Sequence, residues 1–214
     1  MIDRELRARL LDAYLLAIPL IVLNVVWFLA CLPLVTAFPA TAGLFYATNR
    51  LAHGQSAGWR DLFDGLRRYL WVSYPWGLLN LLAGVVVVSN VFYYAQQEAG
   101  LTEAARVLLV ALGLFWVMLQ LYTFPLILEQ ERPSLRLALR NSLVIVLKRP
   151  LHSLGLAFAV LALAIITTVA LAPAWVFITA SLCAYIANAG ALAAIGRLKP
   201  RKAAEGADET AATD

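Results

Sequence analysis

The sequence predicts an all-α protein: a polytopic transmembrane helical bundle of about six membrane segments, the second of them short, with two interfacial amphipathic helices. Of the 214 residues, 62% are hydrophobic and only 14% are charged, whereas a soluble domain averages about half apolar and about a quarter charged. Four long stretches contain no charged residue, and almost every Lys and Arg lies in segments that would share one membrane face. A chain of this length cannot bury so much apolar surface from water. The composition therefore excludes a soluble enzyme, a disordered protein and a disulfide scaffold.

The four stretches without Asp, Glu, Lys or Arg hold the predicted segments. They are 37, 29, 22 and 47 residues long and comprise residues 13–49, 69–97, 107–128 and 150–196. A helix that crosses a membrane needs about 20 apolar residues. The second and third stretches therefore hold one segment each, and the fourth holds two, with a turn expected at 172–174.

The first stretch holds a full segment, residues 14–32, and a shorter return segment, residues 38–52. Pro33 and Pro39 predict a structural break between these segments, because proline lacks a backbone donor and its ring blocks the preceding turn. Fifteen residues of helix reach only about 22 Å, which is less than the roughly 30 Å of a hydrocarbon core. The return segment is therefore expected to be thin, partly unwound or buried among its neighbours.

The distribution of Lys and Arg predicts the orientation, since cytoplasmic loops carry an excess of both. With six segments and both termini inside, 16 of the 17 Lys and Arg residues are cytoplasmic and only Arg106 is outside. The alternative has five spans, an outside N-terminus and a return segment that does not cross. It places 13 of the Lys and Arg residues inside and 4 outside. The first arrangement is preferred. It predicts a multi-pass plasma-membrane protein with both termini in the cytoplasm.

The same patterns divide the chain into two regions. Residues 1–198 are predicted to form a single integral membrane domain. Residues 199–214 are polar and rich in Ala and charge, so they are expected to form a disordered cytoplasmic tail. The first apolar stretch is longer than the core of a secretory signal peptide and has acidic residues among its arginines, so a cleaved signal is not expected.

Two predicted cytoplasmic loops have the pattern of amphipathic helices. The apolar residues of the first begin at Trp59 and those of the second begin at Leu135, each at helical spacing. Such helices lie in the membrane interface with their cations toward anionic lipid. The arginines expected to face lipid, or a cytoplasmic partner such as an ATPase, are Arg67, Arg68, Arg132, Arg136 and Arg140. Since the basic residues follow one membrane face, lipid headgroups explain the net charge of +4 better than nucleic acid does.

The sequence gives little support for catalysis. Residues 54–58 match the Gly-x-Ser-x-Gly pattern of hydrolases, but that motif requires a strand before the serine. A turn that begins the next helix is the better interpretation. Cys31 and Cys183 match no metal-binding spacing. The chain is predicted not to be an enzyme, and to have no catalytic residue, metal site or cofactor.

The break between the first two segments is the predicted functional centre. Non-helical backbone at membrane depth is tolerated only when it is buried in protein or faces a wet cavity, and broken helices line binding sites in many transporters. Asn24, Thr36 and Thr41 are therefore predicted to bind a polar substrate. The alternative is a tight turn capped by Thr36. The second candidate site is the polar group formed by Asn80, Asn90 and Gln120.

The residues around this break also suggest a family. Asn24 and Trp27 lead into Leu-Pro-Leu-Val-Thr at 32–36, then Pro-Ala-Thr-Ala-Gly-Leu at 39–44 and Tyr46, before the basic loop with Phe63, Arg67 and Arg68. This pattern resembles the YesL family of bacterial membrane proteins, whose domain has no assigned molecular function. The similarity is densest over residues 20–70 and departs from the family at 37–38, where Ile-Gly is typical. The resemblance implies a bacterial plasma (inner) membrane and, from genes that often neighbour those of the family, a link to carbohydrate import.

Three functions are compatible with these observations. The first is an accessory component of solute uptake, with carbohydrate as the suggested class of solute. The second is a substrate-capture subunit of an ATPase-driven transporter, which would require other transporter subunits as partners. The third is a non-transporting membrane scaffold or regulator.

Overall fold

The computed structural model describes residues 2–96, 101–170 and 175–196, which are almost entirely helical and include no β-strand. The turn expected at 172–174 and the tail expected at 199–214 lie outside the described residues. The described helices are α1 (Ile2–Cys31), α2 (Ala37–Ala52), α3 (Trp59–Arg68), α4 (Leu70–Ala95), α5 (Leu101–Leu128), α6 (Leu135–Lys148), α7 (Pro150–Ala170) and α8 (Ala180–Ala194). The all-α prediction is confirmed.

Five of these helices are long and apolar enough to cross a membrane. The candidate spans are Tyr14–Cys31, Leu70–Tyr94, Glu103–Leu128, Pro150–Val169 and Trp175–Ala194. They correspond to five of the six predicted segments.

The remaining predicted segment is α2, which has 16 residues and is about 24 Å long at 1.5 Å per residue. It packs against α1, α3, α4, α5 and α8, and half of its residues are buried. The second segment is thus a short helix enclosed by its neighbours, which is one of the three arrangements expected from its length.

Aromatic rings from three helices form the centre of the bundle. The ring of Phe124 on α5 lies 4.8 Å from that of Trp76 on α4 and 5.2 Å from that of Phe45 on α2, measured between centroids. Small buried residues of α8, including Ala184 and Ala187, allow close approach of that helix to α2. α2 therefore contacts both an aromatic cluster and a face of small residues.

The break between α1 and α2 is shorter than the two prolines predicted. α1 ends at Cys31, and one 3₁₀ turn, Leu34–Thr36, precedes α2. Pro33 lies in this break, as expected. Pro39 does not, because it is the third residue of α2. The N–H groups of a first helical turn have no intrahelical partner, so a proline there interrupts no hydrogen bond.

The amphipathic helix α3 is packed firmly against α2. A Cβ atom at Gly43 would overlap the backbone carbonyl oxygen of Leu62, whose side chain is fully buried. At the start of α3, the Asp61 carboxylate accepts a hydrogen bond from Gly58 N (2.8 Å) and lies 3.2 Å from Arg50 Nε. Residues 54–58 therefore form the turn that begins α3, and a helix, not a strand, precedes them.

The second amphipathic helix begins at the residue where its apolar pattern begins. α6 begins at Leu135, and Ser134 caps it by accepting a hydrogen bond from Leu137 N. Arg132 therefore lies in the preceding turn, and only Arg136 and Arg140 belong to the helix. Arg132 is outside the helix because the backbone of Ser134 is extended and the helical repeat begins only after it.

The buried face of α6 contains a polar residue as well as apolar ones. Ala138, Ser142 and Val146 are buried, whereas Leu143 is 39% exposed. Ser142 lies at hydrogen-bond distance, 3.1 Å, from the hydroxyl of Thr123 on α5. A buried serine therefore occupies the packing face, because Thr123 on the adjacent helix pairs with it.

Two parts of the chain have the same order of elements. A loop of six residues separates α2 from α3, and a loop of the same length separates α5 from α6. A single residue separates α3 from α4, and a single residue separates α6 from α7. Each part thus consists of a helix, an amphipathic helix and a membrane helix. The two parts, residues 37–95 and 101–170, therefore have the same order and spacing of helices.

We expect Gly43→Ala to destabilise the protein, because the new methyl group would overlap backbone atoms that cannot move independently of α3. Gly84→Ala on α4 is the matched control, since a Cβ there has no atom within 4 Å. Replacing a helical glycine with alanine at such a site should stabilise by roughly 0.5–1 kcal/mol. Thermal unfolding in detergent checks both variants. Equal stability of the two would contradict the close contact between α2 and α3.

Candidate functional site

Asn24 is fully buried, and its carboxamide joins α1 to the beginning of α8. Its Nδ2 donates to the carbonyl oxygens of Trp175 (2.7 Å) and Val176 (2.8 Å), and its Oδ1 accepts from Ser181 N (2.8 Å). The segment Trp175–Thr179 is a π-helical turn. A side chain that inserts into the hydrogen-bond ladder is a known cause of such irregularity.

Thr36 closes the break between α1 and α2. Its hydroxyl lies 2.5 Å from the carbonyl oxygen of Ala30 and 2.7 Å from that of Pro33, and it donates to these carbonyls. Carbonyls at a helix end lack intrahelical donors and must be paired in another way. The geometry matches the capped turn that the sequence offered as the alternative to a substrate site.

Thr41 also has partners within the protein. Its hydroxyl donates to the carbonyl oxygen of Ala37 (2.8 Å) and accepts from Trp27 Nε1 (3.2 Å). The polar groups of Asn24, Thr36 and Thr41 are thus used in three separate structural contacts. A substrate-binding role for these residues stays a prediction.

A second polar network joins α2 to α8. Asn188 Nδ2 donates to the carbonyl oxygen of Phe45 and to Thr48 Oγ1, each at 3.0 Å. Asn49 Nδ2 lies 3.4 Å from Asn188 Oδ1 and 3.1 Å from Glu129 Oε1. The network thereby extends from the middle of α8 to the end of α5.

His53 and Glu129 complete this network at one end of the bundle. They are the first residues after α2 and α5, and His53 Nε2 lies 2.9 Å from Glu129 Oε1. Burial raises the pKa of the nearby Tyr69 phenol, an effect that Arg68 opposes and that Tyr46 and Glu129 reinforce. Because the two loops meet here, α3 and α6 begin at the same end of the bundle.

The sequence did not indicate that Glu129 belongs to this network. Glu129 directly follows the charge-free stretch 107–128, where a charged residue simply marks the end of a predicted segment. The available signal was a carboxylate directly at the end of a predicted span, where an ionisable group often has a specific partner.

A third polar cluster lies between α4 and α5, and we call Trp76, Asn80, Trp116 and Gln120 the amide–indole cluster. Gln120 Oε1 accepts from Trp76 Nε1 (2.9 Å) and lies 3.3 Å from Asn80 Nδ2. Trp116 Nε1 lies 3.3 Å from Asn80 Oδ1. The sequence grouped Asn90 with Asn80 and Gln120, but Asn90 bonds to the carbonyl of Val86 on its own helix.

The arginines predicted to face lipid or a partner are all exposed, at the end of the bundle where α3 and α6 begin; they are Arg67, Arg68, Arg132, Arg136 and Arg140. Trp59 and Phe63 of α3 are exposed beside the first pair, with their rings 6.3 Å apart. The guanidinium of Arg60 lies 5.2 Å from the centroid of the Trp59 ring. Aromatic and cationic side chains thus share one surface, as in helices that lie at membrane interfaces.

Comparison with known families agrees with the resemblance found at the first hairpin. Residues 20–91 match the family described as "Protein of unknown function, DUF624". YesL-like proteins belong to this family. The matched segment includes all of α2 and α3, together with parts of α1 and α4. No curated protein and no solved structure matches the chain.

The DUF624 match and the five apolar helices identify a membrane protein of unknown function. The family description assigns no activity, so any more specific role depends on the side chains described above.

We expect Thr36→Val to lower stability by about 1 kcal/mol, because the carbonyl of Ala30 loses a donor. The carbonyl of Pro33 still accepts from Thr36 N. Thr167→Val is the matched control. The Thr167 hydroxyl bonds only to carbonyls of its own continuous helix, where backbone N–H groups already pair them. Thermal unfolding in detergent compares the two. A Thr36 variant that folds normally but loses function would contradict the capping role and favour substrate binding.

Proposed function

We propose that this protein is a non-enzymatic accessory component of solute uptake in a bacterial plasma membrane, with carbohydrate as the class of solute. The enclosed position of α2 is the observation that supports the proposal most. This short helix follows a break that contains one 3₁₀ turn, and it contacts five other helices. Short or interrupted helices at the centre of a bundle are characteristic of membrane transporters.

The composition of the spans supports an accessory role. Residues 13–49, 69–97 and 107–128 contain no Asp, Glu, Lys or Arg, whereas proton-coupled transporters commonly place such residues within the membrane. The chain would therefore depend on another subunit for energy. The substrate-capture subunit of an ATPase-driven transporter is the related alternative, and a non-transporting scaffold or regulator is the other.

The basic end of the bundle supports an orientation and a set of partners. We take this end to be cytoplasmic, with both termini on the same side, because Lys and Arg concentrate there. Anionic lipid headgroups would bind the exposed arginines, and other transporter subunits would dock beside them. This proposal includes no nucleic-acid partner and no cofactor.

The proposed function predicts that deletion of the gene lowers uptake of a labelled carbohydrate severalfold. Uptake of a panel of ¹⁴C-labelled sugars, with a labelled amino acid as the control, measures this in the native host. Expression of the wild-type chain should restore uptake of the affected sugar alone. Unchanged uptake of every sugar would contradict a role in carbohydrate import and favour the scaffold. Stoichiometric co-purification of an ATP-binding subunit would favour the capture subunit.

The proposed orientation predicts the activity of alkaline phosphatase fusions, since the enzyme is active only outside the cytoplasm. A fusion after Gly100 should be active, whereas fusions after Gly54 and Arg140 should be inactive. Activity at Gly54 would contradict the arrangement with six segments and an inside N-terminus.

We expect replacement of Arg132, Arg136 and Arg140 by Glu to reduce retention of anionic lipid, because each cation near an anionic surface contributes about 1 kcal/mol. The control is the triple Lys variant, which keeps the charge. Phosphatidylglycerol that co-purifies with each variant provides the measurement. If the Glu variant inserts and retains lipid as the wild type does, these arginines do not bind headgroups.

A further inference from the structure

We propose that the amide–indole cluster of α4 and α5 is a binding site for an uncharged, hydroxyl-rich solute. One part of the inference rests on the proposed function: that this ligand is the solute whose uptake the protein assists. The site itself is defined by four side chains, Trp76, Asn80, Trp116 and Gln120, and by one hydrogen-bond donor among them that lacks an acceptor.

The unmatched donor is the amide nitrogen of Gln120. Gln120 Oε1 faces Trp76 Nε1, which can only donate, and this contact fixes which atom of the amide is the oxygen. Gln120 Nε2 is shielded from solvent and has no partner among the described residues. A buried donor without a partner costs about 1–3 kcal/mol, and it commonly marks the place of an acceptor that the protein does not itself supply.

The other polar atoms of the cluster are already engaged. Asn80 Nδ2 donates to the carbonyl oxygen of Trp76 (2.8 Å), and Asn80 Oδ1 lies 3.3 Å from Trp116 Nε1. These contacts fix the amides and indoles relative to one another before any ligand binds. A ligand would therefore complete the cluster by offering an oxygen to Gln120 Nε2.

The charge of the surroundings selects a neutral ligand. The spans that hold the cluster contain no charged residue over 69–97 and 107–128. An ionic ligand would lose its hydration there without gaining an opposite charge. A hydroxyl or ether oxygen can accept from an amide at much lower desolvation cost.

The two indoles define the apolar part of the site. Trp116 and Gln120 are four residues apart on α5, so they lie on the same face of the helix. The ring of Trp76 is held in place by Phe124 and Phe45, with centroids 4.8 and 6.1 Å away. Asn80, Trp116 and Gln120 are only partly buried, whereas Trp76 and the Gln120 Nε2 atom are buried. A ligand at the exposed edge of the cluster would therefore reach Gln120 Nε2 only after the Gln120 side chain moves. Fixed aromatic rings beside amide groups suit a molecule that has both C–H faces and hydroxyl groups.

Equilibrium dialysis of the purified protein in nanodiscs of neutral lipid tests this site, because maltoside detergents would compete. The probes are ¹⁴C-labelled glucose, maltose and myo-inositol, with glucuronate and glucosamine as charged analogues. We expect at least one neutral probe to bind, and its charged analogue to bind at least tenfold more weakly. Gln120→Leu should lower the affinity for that probe at least tenfold, and Asn90→Leu should leave it unchanged.

Failure of all three neutral probes to bind the wild type would overturn the proposal. Retention of wild-type affinity by Gln120→Leu would also overturn it, and a buried water would then be the partner of the amide. If Gln120→Leu does not fold, Trp116→Phe is the second test, since it removes one indole N–H and leaves Gln120 in place. We expect Trp116→Phe to lower the affinity for the probe severalfold, and unchanged affinity would overturn the proposal. Binding without any uptake defect on gene deletion would contradict the proposed function and not the site.

Discussion

The carboxamide of Asn24 substitutes for a peptide group at the start of α8, and the arrangement of the helices around α2 depends on this contact. Hydrocarbon supplies no hydrogen bonds, so each backbone group at membrane depth needs a partner within the protein. The π-helical turn Trp175–Thr179 departs from the regular ladder, and Asn24 pairs two of its carbonyls and the N–H of Ser181. α1 is thereby fixed to α8, and the two helices enclose one side of α2. Asn188 provides the corresponding contact further along α8, where it bonds to α2.

This arrangement explains how a helix of 16 residues can occupy the centre of a membrane bundle. α2 does not need to match the bilayer thickness, because other helices surround it. Its C-terminal end is joined through Asn49 to Glu129 and through that residue to His53. The loops that follow α2 and α5 meet at His53 and Glu129, so α3 and α6, with their exposed arginines, begin at one end of the bundle. The enclosed position of α2 and the basic surface at one end of the bundle are the features on which the proposed role in uptake depends.

The charge-free stretches predicted the membrane helices well, because hydrophobic length is a strong signal. The structure also contains the short second helix and the break at Pro33. The sequence could not indicate that Pro39 lies inside α2, since a proline pattern does not distinguish a break from the first turn that follows it. Nor could it indicate that Asn24 pairs with α8, because that contact joins residues about 150 positions apart.

The candidate sites were predicted less completely than the fold. The pattern of polar residues correctly groups Asn80 with Gln120. It does not indicate Trp76 and Trp116, because tryptophans in a membrane span are usually packing or interface residues. The same pattern includes Asn90, which is polar and on the same helix as Asn80 but bonds to its own helix. Periodicity shows which residues share a helix face, and it does not show which two helices meet.

Amide hydrogen exchange at Ser181 is the most direct test of the Asn24 contact. In the wild type this N–H should exchange as slowly as its neighbours in α8, because Asn24 Oδ1 accepts from it. In Asn24→Ala the exchange at Ser181 should accelerate by at least tenfold, whereas Asn90→Ala should have no effect there. Equal protection of Ser181 in the wild type and in Asn24→Ala would contradict the account, because α8 would then pair its own backbone without α1.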